Sequence, residues 1–239
     1  MKGIWCVGLC LVLLTVAASA DEKAGNPARG RVVYERYCVS CHGERGDGAG
    51  ESAPYTMPRP RDFRQASFKW RSTTSGSLPL VRDLERTIRE GVYWTSMPSW
   101  YPLNKRARLD VIAYIQTFSP RWKVEQPGEP LTIPPEPSHT PESVARGRAI
   151  YDRQSCASCH GGQGAGDGPA AKTLVNDWGN PILPFDLTKG HIKGGTGGDL
   201  YRVFMTGLNG TPMPSFVDTI TPDEAWDLVH YIESLGPRK

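Results

Sequence analysis

The sequence predicts an all-α protein built from two tandem helical units joined by a proline-rich connector. Three observations carry that expectation. The pentapeptide Cys-x-x-Cys-His occurs twice, as Cys38-Val39-Ser40-Cys41-His42 and as Cys156-Ala157-Ser158-Cys159-His160. The stretches before and after each copy match one another, which is the mark of an internal repeat. Within the matched stretches the apolar residues recur at helical spacing, between capping residues, prolines and glycines that start and stop helices. The expected division is residues 1–20 as a leader, 21–121 as the first unit, 122–139 as the connector and 140–239 as the second unit.

At the N-terminus Lys2 precedes an apolar run from Ile4 to Ala18 that ends in Ala18-Ser19-Ala20 before Asp21-Glu22. This is the pattern of a secretory signal peptide cut after Ala20. The run is shorter than the ~20 residues a membrane-spanning helix needs, so a retained anchor is the weaker reading. Removal of the leader takes Cys6 and Cys10 with it, and the remaining cysteines all belong to the pentapeptides, so no thiol is left for a disulfide.

Each unit opens on a helix whose start is signalled by a capping side chain before proline, Asn26-Pro27 in one and Thr140-Pro141 in the other. Arg29-Gly30-Arg31-Val32-Val33-Tyr34 matches Arg146-Gly147-Arg148-Ala149-Ile150-Tyr151. The glycine and tyrosine lie four apart on one face, and a glycine there admits the close approach of another helix. After each pentapeptide comes a glycine-rich turn, 43–50 and 161–168, suited to a backbone that runs close to a flat group. Asp83 to Trp100 then aligns without a gap on Asp199 to Phe216. Each of these reads as a short amphipathic helix that begins at an aspartate and stops at Gly91 or Gly207, followed by a loop that presents Met97 or Met213 beside a proline. The closing helices carry Leu109, Ile112, Ile115 and Phe118 against Trp226, Val229, Ile232 and Leu235, and Thr221-Pro222-Asp223-Glu224 is a capping box. The last helix of each unit is expected to cross the first at its glycine. Residues 122–139 hold five prolines, lack apolar periodicity and read as a semi-extended connector without helix.

Cys-x-x-Cys-His is the attachment signature of c-type haem: two thiols on one helical turn suit two vinyl groups on one porphyrin edge, and the histidine that follows is led to the iron. A zinc or redox Cys-x-x-Cys followed by a chance histidine does not account for two copies in matching surroundings. The sequence thus predicts two covalently bound haem c groups on Cys38, Cys41, Cys156 and Cys159, with His42 and His160 as proximal ligands. Met97 and Met213, equivalent and proline-braced, are the candidate second ligands. Met57, next to Pro58, is a rival without a counterpart in the second unit, and Met205 belongs to a helix core. His191, among Lys189, Lys193 and glycines, is a candidate partner of a haem carboxylate. His139 reads as exposed and His230 as structural. Trp70, Trp94, Trp100 and Trp178 either face the haems or pack in the core.

Each unit resembles a class I c-type cytochrome domain, on its Gly-x-x-x-Tyr helix, its Cys-x-x-Cys-His, its loop methionine and its aromatic-bearing last helix. The resemblance covers nearly the whole mature chain and extends to the bacterial two-domain di-haem cytochromes; the segments Pro60–Pro79 and Trp178–Gly198 are longer and less alike. It implies two class I cytochrome c-like domains, each wrapped around one haem, maturation in the periplasm, and transfer of single electrons between respiratory redox partners through histidine/methionine-ligated iron. Methionine favours ferrous iron and closes the coordination sphere, which is why an electron carrier is expected rather than an enzyme. The rival readings are a di-haem peroxidase or thiosulfate-oxidising enzyme, which need an open site or a spare cysteine, and a cytochrome subunit of a larger, membrane-associated respiratory complex. Residues 21–121 carry a clear excess of base, including Arg59, Arg61, Arg64, Lys69 and Arg71. That excess suits haem carboxylates and the docking of an acidic protein partner on the first domain. No nucleic-acid partner is expected.

Overall fold

A computed structural model describes residues 25–190 and 195–236. The leader and His191 therefore lie outside the described residues. Among the described residues the protein is helical, with isolated bridges at Thr73–Pro130 and Val175–Pro181 as its only β-pairing. The first half contains α1 (Pro27–Tyr37), α2 (Val39–His42), α3 (Val81–Glu90), α4 (Lys105–Gln116) and the turn α5 (Arg121–Val124); the second contains α6 (Pro141–Arg153), α7 (Ala157–His160), α8 (Gly197–Thr206) and α9 (Pro222–Leu235).

The start signals act as the residues require. Asn26 and Thr140 accept from Arg29 N and Ser143 N, and Thr221 and Glu224 cap each other reciprocally. The helices α3 and α8 begin two residues earlier than expected, at Val81 and Gly197, so their aspartates stand in the first turn rather than at its edge. From there Asp83 reaches back to accept from Leu80 N at 3.0 Å, and Asp199 from the Thr196 hydroxyl at 2.8 Å. An anion over the exposed N–H groups of a first turn is stabilising, which explains the register.

In each half the first and last helices cross at the glycine. A Cβ on Gly30 would stand 1.9 Å from the Asp110 carbonyl oxygen, and one on Gly147 2.0 Å from that of Asp227. The same two aspartates receive an arginine fork from the crossing partner, Arg29 to Asp110 and Arg146 to Asp227, each closing to 2.7 Å. Each crossing is thus fixed by a contact only glycine permits and by a bidentate charge-assisted pair. Around them lie two separate apolar cores, Tyr34, Leu84, Ile88 and Ile112 in the first half and Tyr151, Tyr201, Phe204 and Trp226 in the second.

The connector departs from the expected semi-extended form without helix. Its first residues wind into α5, stabilised by the Arg121–Glu125 pair at 2.6 Å and by Trp122 packing on the first core, because the prolines begin only at Pro127. Beyond that it runs extended and stays on the protein surface. Leu131 N donates to Ser72 O at 2.7 Å, while Leu131 and Ile133 pack on the second core.

Helices α3 and α8 face one another across the seam between the halves. Arg86 donates to both carboxylate oxygens of Asp199, at 2.6 and 2.9 Å, and Arg71 donates to the carbonyls of Thr206 and Gly207. Burial opposes the charged form of Asp199, but hydrogen bonds from Arg86, Thr196 and Arg202 outweigh it and hold its pKa at about 2. A depressed carboxylate pKa stabilises the fold above the unfolded value near 4 and ceases to do so as pH falls through the folded one. The Arg86–Asp199 pair is therefore expected to contribute on the order of 1–2 kcal/mol after solvent screening, lost between about pH 4 and pH 2. Acid titrations of unfolding should show that window in the wild type, and Asp199→Asn should flatten it; an unchanged slope in the variant would remove the pair from the ledger.

Candidate haem sites

The pentapeptides form α2 and α7, one helical turn each, at the end of α1 and α6. That turn is tied to the preceding helix by Tyr34, whose hydroxyl donates to Gly43 O at 2.7 Å, and by Tyr151, which donates to Gly161 O at 2.6 Å. Burial pushes the Cys38 thiol up to about 12 and Cys156 to about 11, which favours the neutral thiol before haem attachment. All four pentapeptide cysteines are free and partly buried.

The histidines share one arrangement. His42 Nδ1 lies 3.0 Å from the carbonyl oxygen of Arg61, and His160 Nδ1 lies 3.0 Å from that of Phe185. A carbonyl can only accept, so each ring donates from Nδ1 and keeps its lone pair on Nε2. Burial lowers the pKa of both imidazoles, which favours the neutral form that binds metal. The carbonyls fix tautomer and ring orientation from the side opposite Nε2, the nitrogen left free to bind a metal.

These carbonyls are what sequence reading missed. Pro60-Arg61-Asp62-Phe63 and Pro184-Phe185-Asp186-Leu187 occupy the same place in the two halves: Phe63 N donates to Gly46 O at 2.6 Å and Leu187 N to Gly164 O at 2.7 Å. The signal was present as Pro-x-Asp followed by an apolar residue, inside segments that otherwise differ. The glycine-rich turns pack on this strut. A Cβ on Gly48 would meet Pro60 O at 2.6 Å, and one on Gly166 would meet Pro184 O at 2.9 Å. The close approach those glycines allow is thus to the chain itself.

The methionine loops are also built alike. Met97 N donates to Thr95 Oγ1 at 3.1 Å and Met213 N to Thr211 Oγ1 at 3.2 Å. Each loop is closed by a backbone bond to the methionine carbonyl, from Val92 N at 3.0 Å and Leu208 N at 3.1 Å. Each is anchored to its helix by a serine, with Ser99 Oγ donating to Arg89 O at 2.6 Å and Ser215 Oγ to Met205 O at 2.7 Å. Both methionines are partly buried, and Met213 packs against the second core. Met57 is 56 % exposed and Met205 is buried within α8.

Among the described residues Arg61 Nη1 and Trp178 Nε1 are buried donors without a hydrogen-bond partner. The guanidinium carbon of Arg61 lies 4.5 Å from the centroid of the Trp178 ring, so the two stand together across the seam. They line a cavity of about 390 Å³ with Arg59, Arg64 and Lys69. Leaving a guanidinium N–H and an indole N–H buried without hydrogen bonds is costly, and both are of the kind that a haem carboxylate satisfies. Free Nε2 atoms, free thiols and orphaned donors together fit a carboxylate-bearing haem in each half. His139 is exposed, and His230 is fully buried with Nδ1 2.8 Å from Ser143 Oγ, a structural role.

Two family models match the chain, one in each half. Residues 144–236 match the family model described as cytochrome c, and residues 25–115 match the model described as cytochrome c oxidase, cbb3-type, subunit III. The fold is also similar to a chain in the structure described as the Kuenenia stuttgartiensis reducing HAO-like protein complex Kustc0457/Kustc0458. The TM-score is 0.86 and the identity 40 %, over 89 % of this chain and 97 % of that one. The chain is a di-haem c-type cytochrome. No curated protein sequence matches it significantly. As a cytochrome of this kind it binds two haem c groups covalently and transfers electrons.

Proposed function

We propose that this cytochrome is a one-electron relay of the periplasm, working as part of a larger redox assembly through two histidine/methionine-ligated haems. The observation that carries the reading is the duplication of both ligand supports: a backbone carbonyl behind each histidine, and a threonine- and serine-braced loop under each methionine. The bound haems supply one-electron exchange between ferrous and ferric iron. Cys38, Cys41, Cys156 and Cys159 tether them. His42 and His160, with their tautomer held, would ligate the iron through Nε2, and Met97 and Met213 would supply the second ligands that leave no site for water or substrate. Arg61 and Trp178 would hold haem carboxylates at the seam.

Export rests on the leader pattern from Lys2 to Ala20 and on the maturation route of c-type cytochromes. Assembly with a larger enzyme rests on the likeness to a chain of an HAO-like complex. Among the described residues no helix is long and apolar enough to cross a membrane. A spectroelectrochemical titration of the holoprotein tests the ligation: two one-electron waves are expected, both ferric haems low-spin with the far-red methionine-to-iron band. A high-spin ferric haem, or one lacking that band, would refute closed coordination in its domain.

A further inference from the structure

Because the two halves follow one plan, each serves as a reference for the other, and their methionine loops are held differently. The loop that presents Met213 leaves α8 at Thr206, and from there to Gly210 the first half grips it. Arg71, itself buried, donates to the Thr206 carbonyl and to that of Gly207 at 3.4 Å. Carbonyls at the end of a helix lack partners within it, so an outside donor is what they need. Asn209 Oδ1 accepts from Gly76 N at 3.2 Å and from the Ser75 hydroxyl at 3.3 Å. Gly210 seats the Arg61 guanidinium and the Trp178 indole. A Cβ there would overlap Arg61 Nη1 and stand 2.6 Å from the indole.

The corresponding loop of the first half stands outward. Tyr93 and Trp94, which take the places of Asn209 and Gly210, are each 63 % exposed, and across the seam Trp94 meets Lys189, whose Nζ lies 5.9 Å from the ring centroid. Both loops share the same internal bonds, through Thr95 and Ser99 or through Thr211 and Ser215, so those do not distinguish them. The neighbouring half does. Hydrogen bonds from a charged, buried donor hold a backbone more firmly than neutral ones within its own turn. Met213 follows Gly210 by three residues and its carbonyl closes the loop on Leu208 N, so its thioether stands on backbone that the first half holds. Arg61 also offers its own carbonyl to His42 Nδ1, so this one residue stands behind His42 and against the Met213 loop.

We propose that Arg71, Ser75 and Gly76 of the first half, with Arg61 seated on Gly210, are positioning residues for the second haem: they clamp the loop so that the Met213 thioether stays on the iron and other ligands stay out. This rests on the histidine/methionine reading of the relay. The closed coordination of the second iron is then a property of the two docked halves together, whereas that of the first is set chiefly within its own half.

The test is imidazole titration of the ferric holoprotein, followed in the far-red methionine-to-iron band. In a Met97→Ala parent that band belongs to the second haem, and in a Met213→Ala parent to the first. Asn209→Ala removes the bonds from Ser75 and Gly76 at a half-buried position, and Arg71→Met removes the buried donor. In the Met97→Ala parent the imidazole concentration that halves the band is expected to fall several-fold with Asn209→Ala. With Arg71→Met it should fall about tenfold or more, as the loss of a charged hydrogen bond requires. In the Met213→Ala parent both substitutions should leave it within about twofold, although Arg71 belongs to the first half. A residue that merely stabilised its own half would act the other way round. Equal shifts at both haems overturn the clamp, and if Arg71→Met does not fold, Asn209→Ala decides alone. A second-haem band that the substitutions do not shift refutes the clamp and leaves the ligation standing, whereas a Met97→Ala parent without the band refutes Met213 as a ligand and the clamp with it.

Discussion

Met213→Ala is expected to keep the second haem attached, to let the reduced protein bind carbon monoxide at that one iron, and to lower its potential. Met97→Ala should do the same for the first haem. The loop itself should survive, because its shape comes from Thr211, Ser215 and the Leu208 N to Met213 O bond, none of which uses the thioether. On the proposed ligation, what is lost is a soft, neutral ligand that favours ferrous iron. Axial ligands span ~0.8 V among haem proteins, so a fall on the order of 0.1–0.3 V is expected for the altered haem, with the other nearly unmoved. Carbon monoxide difference spectra and a redox titration read both effects. Failure of both reduced variants to bind carbon monoxide would take the methionines out of the coordination sphere.

The second large effect is structural. Gly147→Ala puts a methyl group 2.0 Å from the Asp227 carbonyl oxygen, and Gly30→Ala one 1.9 Å from that of Asp110. Alanine is the better helix former by about 1 kcal/mol, which alone would stabilise α6 or α1. The overlap is with backbone, which cannot rotate away, so the two helices must separate and the Arg146–Asp227 or Arg29–Asp110 fork must stretch with them. Overpacking of this kind costs about 3 kcal/mol or more once the fork is weakened. The net expectation is a loss of at least ~2 kcal/mol, confined to the half that carries the change. Denaturant unfolding followed at the Soret band should give a lower midpoint for one transition; an unchanged or higher midpoint would show that the crossing can slide.

Those two experiments probe features of different visibility. The pentapeptides, the methionine loops and the capping residues are local signals, a few residues whose chemistry does not depend on what folds over them. The repeat made them stronger, since Gly30 with Tyr34 and Gly147 with Tyr151 marked the same helix face twice. By contrast, the start of α3 lay two residues before its aspartate because a carboxylate can act on the turn behind it. The short helix α5 hid at the edge of a proline-rich stretch, held by the Arg121–Glu125 pair and by Trp122 against a core assembled from distant segments.

The sequence by itself determined that two haems are attached and that two matching helical units carry them, and it singled out Met97 and Met213 as the candidate second ligands, because each signal is written within a dozen residues and written twice. Tertiary structure alone decided which carbonyls hold the histidines, Arg61 and Phe185, and that Arg61 meets Trp178 and Arg86 meets Asp199 across the seam. Those partners lie from 19 to more than 100 positions apart, and a hydrogen bond or ion pair depends on distance in space, which spacing along the chain does not encode.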